Sequence, residues 1–246
     1  MNKIIKLNSK NYIDIQYKDQ IKSDVILIYP GGGYEYTSER EGYPVAKKYQ
    51  QASYHSAIYF YREEKLIHPH LILEVKEVIS HLKKDPLINR IIVIGFSAGG
   101  HFALHSLITY PNDFSAGVLA YPVVSSDQDC IHKGSFENLI GENNKVLFEK
   151  VSLEKLIEVK LPPIFIWHTK EDQAVPVENS YKLIEALEST KTKYELLLFE
   201  KGNHGLSLAT REVTPKGMDQ EQYFKDHKKV RTWFNRSVKF LRSQGL

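Results

Sequence analysis

Short, unbroken runs of apolar residues recur along this chain of 246 residues, and segments with helical spacing separate them. The runs are rich in β-branched and aromatic side chains, as is typical of strands that are buried on both faces. They occupy residues 25–29, 56–61, 91–94, 116–121, 164–167 and 196–199. Strands that alternate with helices over the whole length predict an α/β fold, with a mostly parallel central sheet and helices on both of its faces.

The segments between the runs carry apolar residues that fall on one face of a helix. They are Leu71, Ile72, Val75, Val78, Ile79 and Leu82 in the first such segment, Tyr181, Leu183, Ile184 and Leu187 in the second, and Val230, Trp233, Phe234, Val238 and Leu241 in the last. Residues 12–17 alternate apolar and polar side chains instead. This pattern predicts a half-exposed antiparallel strand at the N-terminal edge of the sheet.

No internal repeat, low-complexity tract or linker interrupts the pattern, so we expect one domain over residues 1–246. Two segments, 122–162 and 210–222, are more polar and less periodic than the rest. We interpret residues 122–162 as short helices and loops over the sheet, and both segments are candidate lid elements.

Composition excludes several classes of function. The net charge is only +3 and the basic residues are scattered, which argues against a nucleic-acid partner. Cys130 is the single cysteine, so neither an intrachain disulfide nor a metal site built on several thiolates can form. The first residues lack the continuous apolar segment of a signal peptide or membrane span, and a cytoplasmic location is therefore expected. A homodimer remains an open alternative to a monomer.

The most specific motif is Gly95-Phe96-Ser97-Ala98-Gly99, which follows the run 91–94 and precedes a helical pattern. A Gly-x-Ser-x-Gly sequence between a strand and a helix indicates a sharp turn that exposes a nucleophilic serine. Small residues are needed beside the serine because a Cβ there would strike the strand or the helix. We therefore predict Ser97 as a nucleophile, and the alternative is a Gly-Ser turn without chemical meaning.

A serine hydroxyl needs a base, and in enzymes with this turn an acid and then a histidine follow the serine along the chain. His204 lies in a Gly-rich loop after the run 196–199, and Asp172 follows the run 164–167. Asp172 would hold the imidazole and stabilise its charged form, with Glu171 as the alternative acid. We interpret His168 as a packing residue.

Two further sequence features bear on the site. His101 and His105 are four residues apart, but no third ligand lies nearby, so we interpret them as structural and expect no metal and no cofactor.

The loop Pro30-Gly31-Gly32-Gly33-Tyr34 follows an early strand and, with the N–H of Ala98, could bind an oxyanion. A phosphate-binding loop is excluded because the Gly spacing and a following Lys-Ser/Thr are missing. Tyr34 and Phe96 flank the centre and are weak candidates for shaping the substrate pocket.

Taken in order, these motifs resemble those of small bacterial esterase/lipase-like α/β-hydrolases that carry a Pro-Gly-Gly-Gly-Tyr loop. The segments Ser38-Glu39-Arg40-Glu41, Tyr61-Arg62 and Asn203-His204-Gly205-Leu206 also match. The resemblance implies an α/β-hydrolase fold and a triad of Ser97, Asp172 and His204. By analogy with related esterases that have a His-Gly-Gly-Gly loop, it implies Gly32 and Gly33 as oxyanion donors beside Ala98. Pro30 replaces the histidine of those esterases, so the loop must be supported differently.

Several members of this group are described as acetyl esterases on acetylated sugars or xylo-oligosaccharides. The resemblance therefore implies a serine carboxylic-ester hydrolase with a short acyl group and a small-molecule ester as its substrate. Three alternatives remain at this stage. They are a peptidase similar to a lone prolyl-oligopeptidase-type catalytic domain, an enzyme of acetyl transfer or thioester hydrolysis, and a binding module without catalytic activity on the same fold.

Overall fold

The computed structural model describes residues 2–246, and its strands form one eight-stranded sheet. The strands are β1 (Asn2–Lys6), β2 (Tyr12–Gln16), β3 (Ser23–Tyr29), β4 (His55–Phe60), β5 (Ile88–Phe96), β6 (Ala116–Ala120), β7 (Ile164–Thr169) and β8 (Tyr194–Phe199). Their order across the sheet is β1-β2-β4-β3-β5-β6-β7-β8. Every pair from β4 to β8 is parallel, whereas β1 and β2 pair in antiparallel fashion. The predicted fold class is confirmed.

Helices cover both faces of this sheet. They are α1 (Tyr43–Gln51), α2 (His70–Lys84), α3 (Ala98–Thr109), α4 (Lys133–Ile140), α5 (Lys145–Glu149), α6 (Glu178–Ser189), α7 (Gln220–Asp226) and α8 (Thr232–Ser243). One apolar core packs α2, α3, α4 and α6 against the sheet, and a second core on the opposite face includes α1, α7 and α8. Within residues 2–246, no helix has the length and apolar character needed to cross a membrane.

The N-terminal edge differs in detail from the prediction for residues 12–17. The outermost strand is the mostly exposed β1, and β2 is the second strand, with Ile13 and Ile15 fully buried. The polar residue between them, Asp14, is also buried and accepts a hydrogen bond of 2.7 Å from the hydroxyl of Tyr43 in α1. The alternating pattern is therefore not a sign of exposure here, because a helix covers its polar side.

Both polar segments are short helices, 3-10 turns and loops, which agrees with the expectation for residues 122–162. Residues 122–162 contain α4, α5 and the 3-10 turn Leu153–Leu156, and residues 210–222 contain the 3-10 turn Arg211–Val213 and the start of α7. A lid movement of either segment stays a prediction.

The parallel strands bring four loops to one edge of the sheet. The loops after β3, β5, β7 and β8 all begin at the carboxyl ends of their strands, where open α/β sheets hold their ligands. These loops contain the glycine-rich segment 30–34, Ser97, Asp172 and His204. Residues far apart in sequence are thereby collected at one place.

Candidate active site

Ser97 lies in the turn between β5 and α3, with the strained backbone angles φ 55° and ψ −120°. A Cβ on Gly95 would lie 2.0 Å from the carbonyl oxygen of Gly99, and a Cβ on Gly99 would lie 2.1 Å from the carbonyl oxygen of Tyr29. Both distances are far below contact, so any side chain at these positions would force the turn apart. The turn holds the serine at the start of a helix, where free N–H groups favour negative charge.

Ser97, His204 and Asp172 form one chain of hydrogen bonds. The Ser97 hydroxyl lies 2.8 Å from Nε2 of His204, and Nδ1 of His204 lies 2.7 Å from Oδ2 of Asp172. Because the Asp172 carboxylate accepts, Nδ1 carries the proton and Nε2 is free to accept from the serine. Nucleophile, base and orienting acid thus have the relative positions that a triad requires.

The other oxygen of Asp172 accepts hydrogen bonds from the backbone N–H groups of Val175 at 2.9 Å and Ala174 at 3.1 Å. Burial by itself would raise the pKa of this carboxyl. The hydrogen bonds from His168 and His204, together with the electrostatic interaction with the His204 ring and the Val175 N–H, instead hold the pKa of Asp172 well below its usual range. The carboxylate therefore stays charged where it faces the imidazole.

The rival acid and the neighbouring histidine have other contacts. Glu171 accepts the N–H of Gly202 at 3.2 Å and does not contact His204 through a hydrogen bond. His168 is fully buried, with Nδ1 2.8 Å from the Ser180 hydroxyl and Nε2 2.9 Å from the carbonyl oxygen of Val175. Nε2 of His168 also lies 3.4 Å from Oδ2 of Asp172, so this buried residue contacts the carboxylate as well.

The N–H groups expected to bind an oxyanion are free. Within residues 2–246, the backbone N–H groups of Ala98, Gly32 and Gly33 have no acceptor in the protein. Gly32 has φ +126°, which a residue with a side chain rarely adopts, and its carbonyl oxygen accepts the N–H groups of Glu35 and Tyr36. The loop is thus folded on itself with its donors left open, and both Gly32 and Gly33 line the cleft beside Ser97.

A buried carboxylate, which the sequence did not single out, holds this loop. Glu41 is only 4% exposed, and its Oε2 accepts the N–H of Gly31 at 2.8 Å. The hydroxyl of Tyr61 donates to the carbonyl oxygen of Pro30. Together these contacts support the loop at Pro30 and Gly31, where Pro30 replaces the histidine of the related esterases. The sequence signal that could have found Glu41 is an acid shortly after a glycine-rich loop that lacks that histidine.

Glu41 also connects this loop to the loop of the histidine. Its Oε1 accepts the Tyr121 hydroxyl at 2.5 Å, and the same hydroxyl accepts the N–H of Ser207 at 3.0 Å. The Tyr121 ring packs edge-on against the His204 ring, with 5.0 Å between the ring centroids. One carboxylate and one hydroxyl therefore join the glycine-rich loop to the segment that carries His204.

Ser97 opens into a cleft of about 350 Å³. The cleft lining consists of small, polar and charged residues with one tyrosine: Gly32, Gly33, Tyr36, Ser38, Arg40, Glu41, Ser97, His132, His204 and Gly205. None of the described residues in this lining is aliphatic. Such a surface suits a small ligand with several oxygen atoms better than a long hydrocarbon chain.

Tyr34 and Phe96 do not line the cleft, which corrects the prediction that they shape the substrate pocket. Tyr34 is 1% exposed, and its hydroxyl lies 2.8 Å from Nδ1 of His101 in the core on the α3 face. Phe96 is fully buried on the opposite face against Tyr121 and Trp233. Both lie next to the reacting centre in sequence, but their side chains turn away from it into the two cores.

His101 and His105 have structural surroundings. Nε2 of His101 lies 2.8 Å from the carbonyl oxygen of Val151, so both of its ring nitrogens have partners in the protein. Burial lowers the pKa of His101 to about 4 and that of His105 to about 3, which keeps both rings neutral. In the described part of the chain, no group of three or more His, Cys, Asp or Glu residues could hold a metal ion.

Comparison with known proteins finds that the chain is similar in sequence to hydrolases. Endo-1,4-beta-xylanase B of Butyrivibrio fibrisolvens is 29% identical over 219 residues, which cover 80% of this chain and 34% of that protein. An acetylxylan esterase of Xylanibacter ruminicola is 27% identical over 197 residues, or 74% of this chain and 40% of the relative. The chain thus spans well under half the length of these curated relatives.

A solved structure matches nearly the whole chain. The acetyl ester-xyloside bifunctional hydrolase from Caldicellulosiruptor lactoaceticus superposes with a TM-score of 0.80 at 30% identity, over 96% of this chain and 88% of that one. In addition, the model of the prolyl oligopeptidase family matches residues 72–231, a range that includes Ser97, Asp172 and His204. The fold, the order of its motifs and this match together show that the chain belongs to the prolyl oligopeptidase family of α/β-hydrolases.

Proposed function

We propose that the protein is a serine esterase that removes acetyl or similarly short acyl groups from a small oxygen-rich alcohol such as a sugar. The observation that carries the proposal is the hydrogen-bonded chain Ser97–His204–Asp172, which opens into a small polar cleft. Two similar proteins support the substrate class by their names, an acetylxylan esterase and an acetyl ester-xyloside hydrolase. No cofactor is needed for this chemistry.

The reaction proceeds in two acyl-transfer steps. Oγ of Ser97 attacks the ester carbonyl carbon while Nε2 of His204 takes the hydroxyl proton. The N–H groups of Ala98 and of Gly32 or Gly33 stabilise the oxyanion, each contributing about 3–4 kcal/mol to the transition state. As the tetrahedral intermediate collapses, the C–O bond to the alcohol breaks and His204 protonates the leaving oxygen. Water then attacks the acyl-serine with His204 as the base, which releases the acid and restores Ser97.

The lining of the cleft favours a short acyl group. A long acyl chain would need an apolar surface to offset its ordering, at about 25 cal/mol per Å² of buried area. The described cleft residues offer glycines, polar side chains and Tyr36 instead. We therefore expect the rate to fall as the acyl chain grows from acetyl to octanoyl.

The peptidase alternative fits the cleft less well. A peptidase that grips a free amino terminus needs carboxylates at the end of its cleft to pair with the ammonium group. Among the described residues, Glu41 is the one carboxylate that lines the cleft, and both of its oxygens already accept hydrogen bonds from Gly31 and Tyr121. The cleft therefore suits a neutral ester better than a charged peptide end.

The Ser97→Ala variant tests the proposal. We expect it to lose hydrolysis of p-nitrophenyl acetate and of acetylated sugars while its thermal unfolding stays that of the wild type. Ser189→Ala, at an exposed position in α6, serves as a matched control that keeps full activity. Retention of most activity by Ser97→Ala would exclude Ser97 as the nucleophile.

Labelling separates an enzyme from a binding module. A fluorophosphonate probe should modify the wild type at Ser97 at neutral pH and leave Ser97→Ala unlabelled. A folded wild-type protein that resists the probe would favour the binding module.

Four expectations of the sequence stay predictions: one domain over residues 1–246, lid movement of residues 122–162 or 210–222, a cytoplasmic location and a homodimer. None of them is needed for the reaction described above. A panel of esters on the isolated chain therefore tests the proposed activity independently of all four.

A further inference from the structure

His132 is the last residue before α4, and it alone among the described residues of segment 122–162 lines the cleft. Its Nδ1 accepts the backbone N–H of Ser135 at 3.3 Å and lies 2.8 Å from the Ser135 hydroxyl. The side chain thus caps the N-terminus of α4. A cap explains Nδ1 but leaves the other ring nitrogen without a role.

The cap determines where the proton of His132 lies. A backbone N–H can only donate, so Nδ1 must be the acceptor, and in a neutral ring the proton is then on Nε2. Burial lowers the pKa of His132, and the nearby His204 lowers it further, which keeps the ring neutral near pH 7. Within residues 2–246, Nε2 of His132 has no hydrogen-bond partner. His132, which lines the cleft, therefore has a neutral N–H donor whose tautomer is fixed by a helix cap.

The position of His132 relates it to the alcohol half of an ester. The oxygen of the leaving alcohol must lie within reach of Nε2 of His204, because that nitrogen protonates it. His132 and His204 line the same cleft. Arg40 flanks the same side, since a Cβ on Gly205 would lie 4.0 Å from its Nη1. Polar groups thus surround the place where the alcohol leaves.

From this arrangement we propose that Nε2–H of His132 donates a hydrogen bond to an oxygen of the alcohol beside the scissile ester, and that it thereby selects sugar acetates over simple alkyl acetates. The inference rests on the proposed esterase function and names the substrate class of the same site. The alcohol part of a simple alkyl ester has no oxygen besides the ester oxygen itself, so its binding leaves this desolvated donor without a partner. A site built to pair a substrate oxygen discriminates in this way against analogues that lack it.

Two substitutions separate this role from the helix cap. In His132→Asn, the amide oxygen can still cap Ser135, but no donor reaches the position of Nε2. In His132→Gln, the longer side chain can place an amide N–H near that position, but it fits the cap poorly. His70→Asn, at an exposed site at the start of α2, is the control for a histidine replacement.

The measured quantity is the ratio of kcat/KM for a mono-O-acetyl methyl xylopyranoside to kcat/KM for ethyl acetate. Both reactions are monitored through the release of acetic acid, titrated at constant pH. We expect the ratio to fall about tenfold in His132→Asn, to fall less in His132→Gln, and to stay unchanged in His70→Asn. Thermal unfolding should show the opposite order, with His132→Gln less stable than His132→Asn.

Two results would overturn the inference. One is a ratio within twofold of the wild type in His132→Asn, and the other is a ratio that falls in His132→Gln alone, which would assign His132 to the cap only. Failure of the proposed function has a different signature, because neither acetate would then be hydrolysed in a Ser97-dependent way. Hydrolysis of ethyl acetate by the wild type and its loss in Ser97→Ala keep the two cases apart.

Discussion

Replacing Glu41 by glutamine is expected to slow ester hydrolysis while the fold persists. The Glu41 carboxylate accepts one hydrogen bond from the N–H of Gly31 and another from the hydroxyl of Tyr121. A glutamine has one carbonyl oxygen and one NH₂ group at the same positions, so it can accept only one of the two. If the NH₂ group faces Gly31, two N–H groups oppose each other and the oxyanion loop must shift. If it faces Tyr121, the hydroxyl loses its acceptor.

The size of the effect follows from the lost bond. A buried hydrogen bond to a charged group contributes about 1.5–3 kcal/mol. A loss of about 2 kcal/mol from the transition state corresponds to about a 30-fold lower rate, since each 1.36 kcal/mol is a factor of about ten. An upper bound is the 10²–10³-fold effect of removing one oxyanion donor altogether. Because the oxyanion exists only in the transition state, the loss should appear in kcat and leave KM nearly unchanged.

The assay is the hydrolysis of p-nitrophenyl acetate over a range of concentrations, with urea unfolding of the same samples. Glu39→Gln is the matched control, because Glu39 lies in the same 3-10 turn, Glu39–Glu41, and is exposed. It should keep kcat within twofold. If Glu41 acts through Tyr121, combining Glu41→Gln with Tyr121→Phe should cost less than the sum of the single changes. A folded Glu41→Gln variant with the kcat of the wild type would refute the positioning role of Glu41.

The other predictions concern the acid and the turn. Asp172→Asn should lower kcat by about 10³–10⁴-fold, because an amide cannot hold His204 in the required tautomer. Glu171→Gln should change kcat only slightly. Steady-state kinetics of ester hydrolysis checks both variants. The folded protein holds the pKa of Asp172 below its unfolded value, so its stabilising contribution is present at neutral pH and is lost as the pH falls. The difference in free energy of unfolding between wild type and Asp172→Asn should therefore narrow in urea titrations from pH 7 towards pH 3. Gly99→Ala should lower the free energy of unfolding by more than about 4 kcal/mol, because its Cβ would meet the backbone of Tyr29. A Cβ on Gly134 would have its nearest atom 3.9 Å away, so Gly134→Ala should unfold like the wild type in the same urea assay.

The features that the sequence predicted are those encoded locally. A strand, a sharp turn and a helix around Ser97 follow each other within about twenty residues, and the residue sizes that the turn requires are visible in the sequence. The order of strands also limits where Asp172 and His204 can lie, because parallel strands end at one edge of the sheet. The sequence did not predict contacts that depend on which way a side chain points beside a sharp backbone turn. Tyr34 and Phe96 are the examples, since the turns beside them send both rings into the cores.

Glu41 illustrates a second limit. In the sequence it is one of two glutamates in Ser38-Glu39-Arg40-Glu41, with nothing to tell which of them is buried. Its role depends on Tyr121, which is 80 positions away, and on the hydrogen bond that Tyr121 accepts from the N–H of Ser207, after His204. Periodicity describes one element at a time and carries no information about such pairs. The need for some support of the loop was visible from Pro30, but the residue that provides it was not.

Membership in a family named for peptidases does not decide the substrate, because the same serine, histidine and aspartate can cleave esters and amides. The decision lies with the polar groups that remain unpaired in the cleft. Glu41, the carboxylate that could have met an ammonium group, is already bound on both oxygens. Nε2–H of His132 and the backbone N–H groups of Ala98, Gly32 and Gly33 are donors without acceptors in the described chain. A cleft with open donors and without an open carboxylate favours a ligand that is rich in oxygen acceptors and carries no cation, which agrees with the proposed acetylated-sugar substrate better than with a peptide terminus.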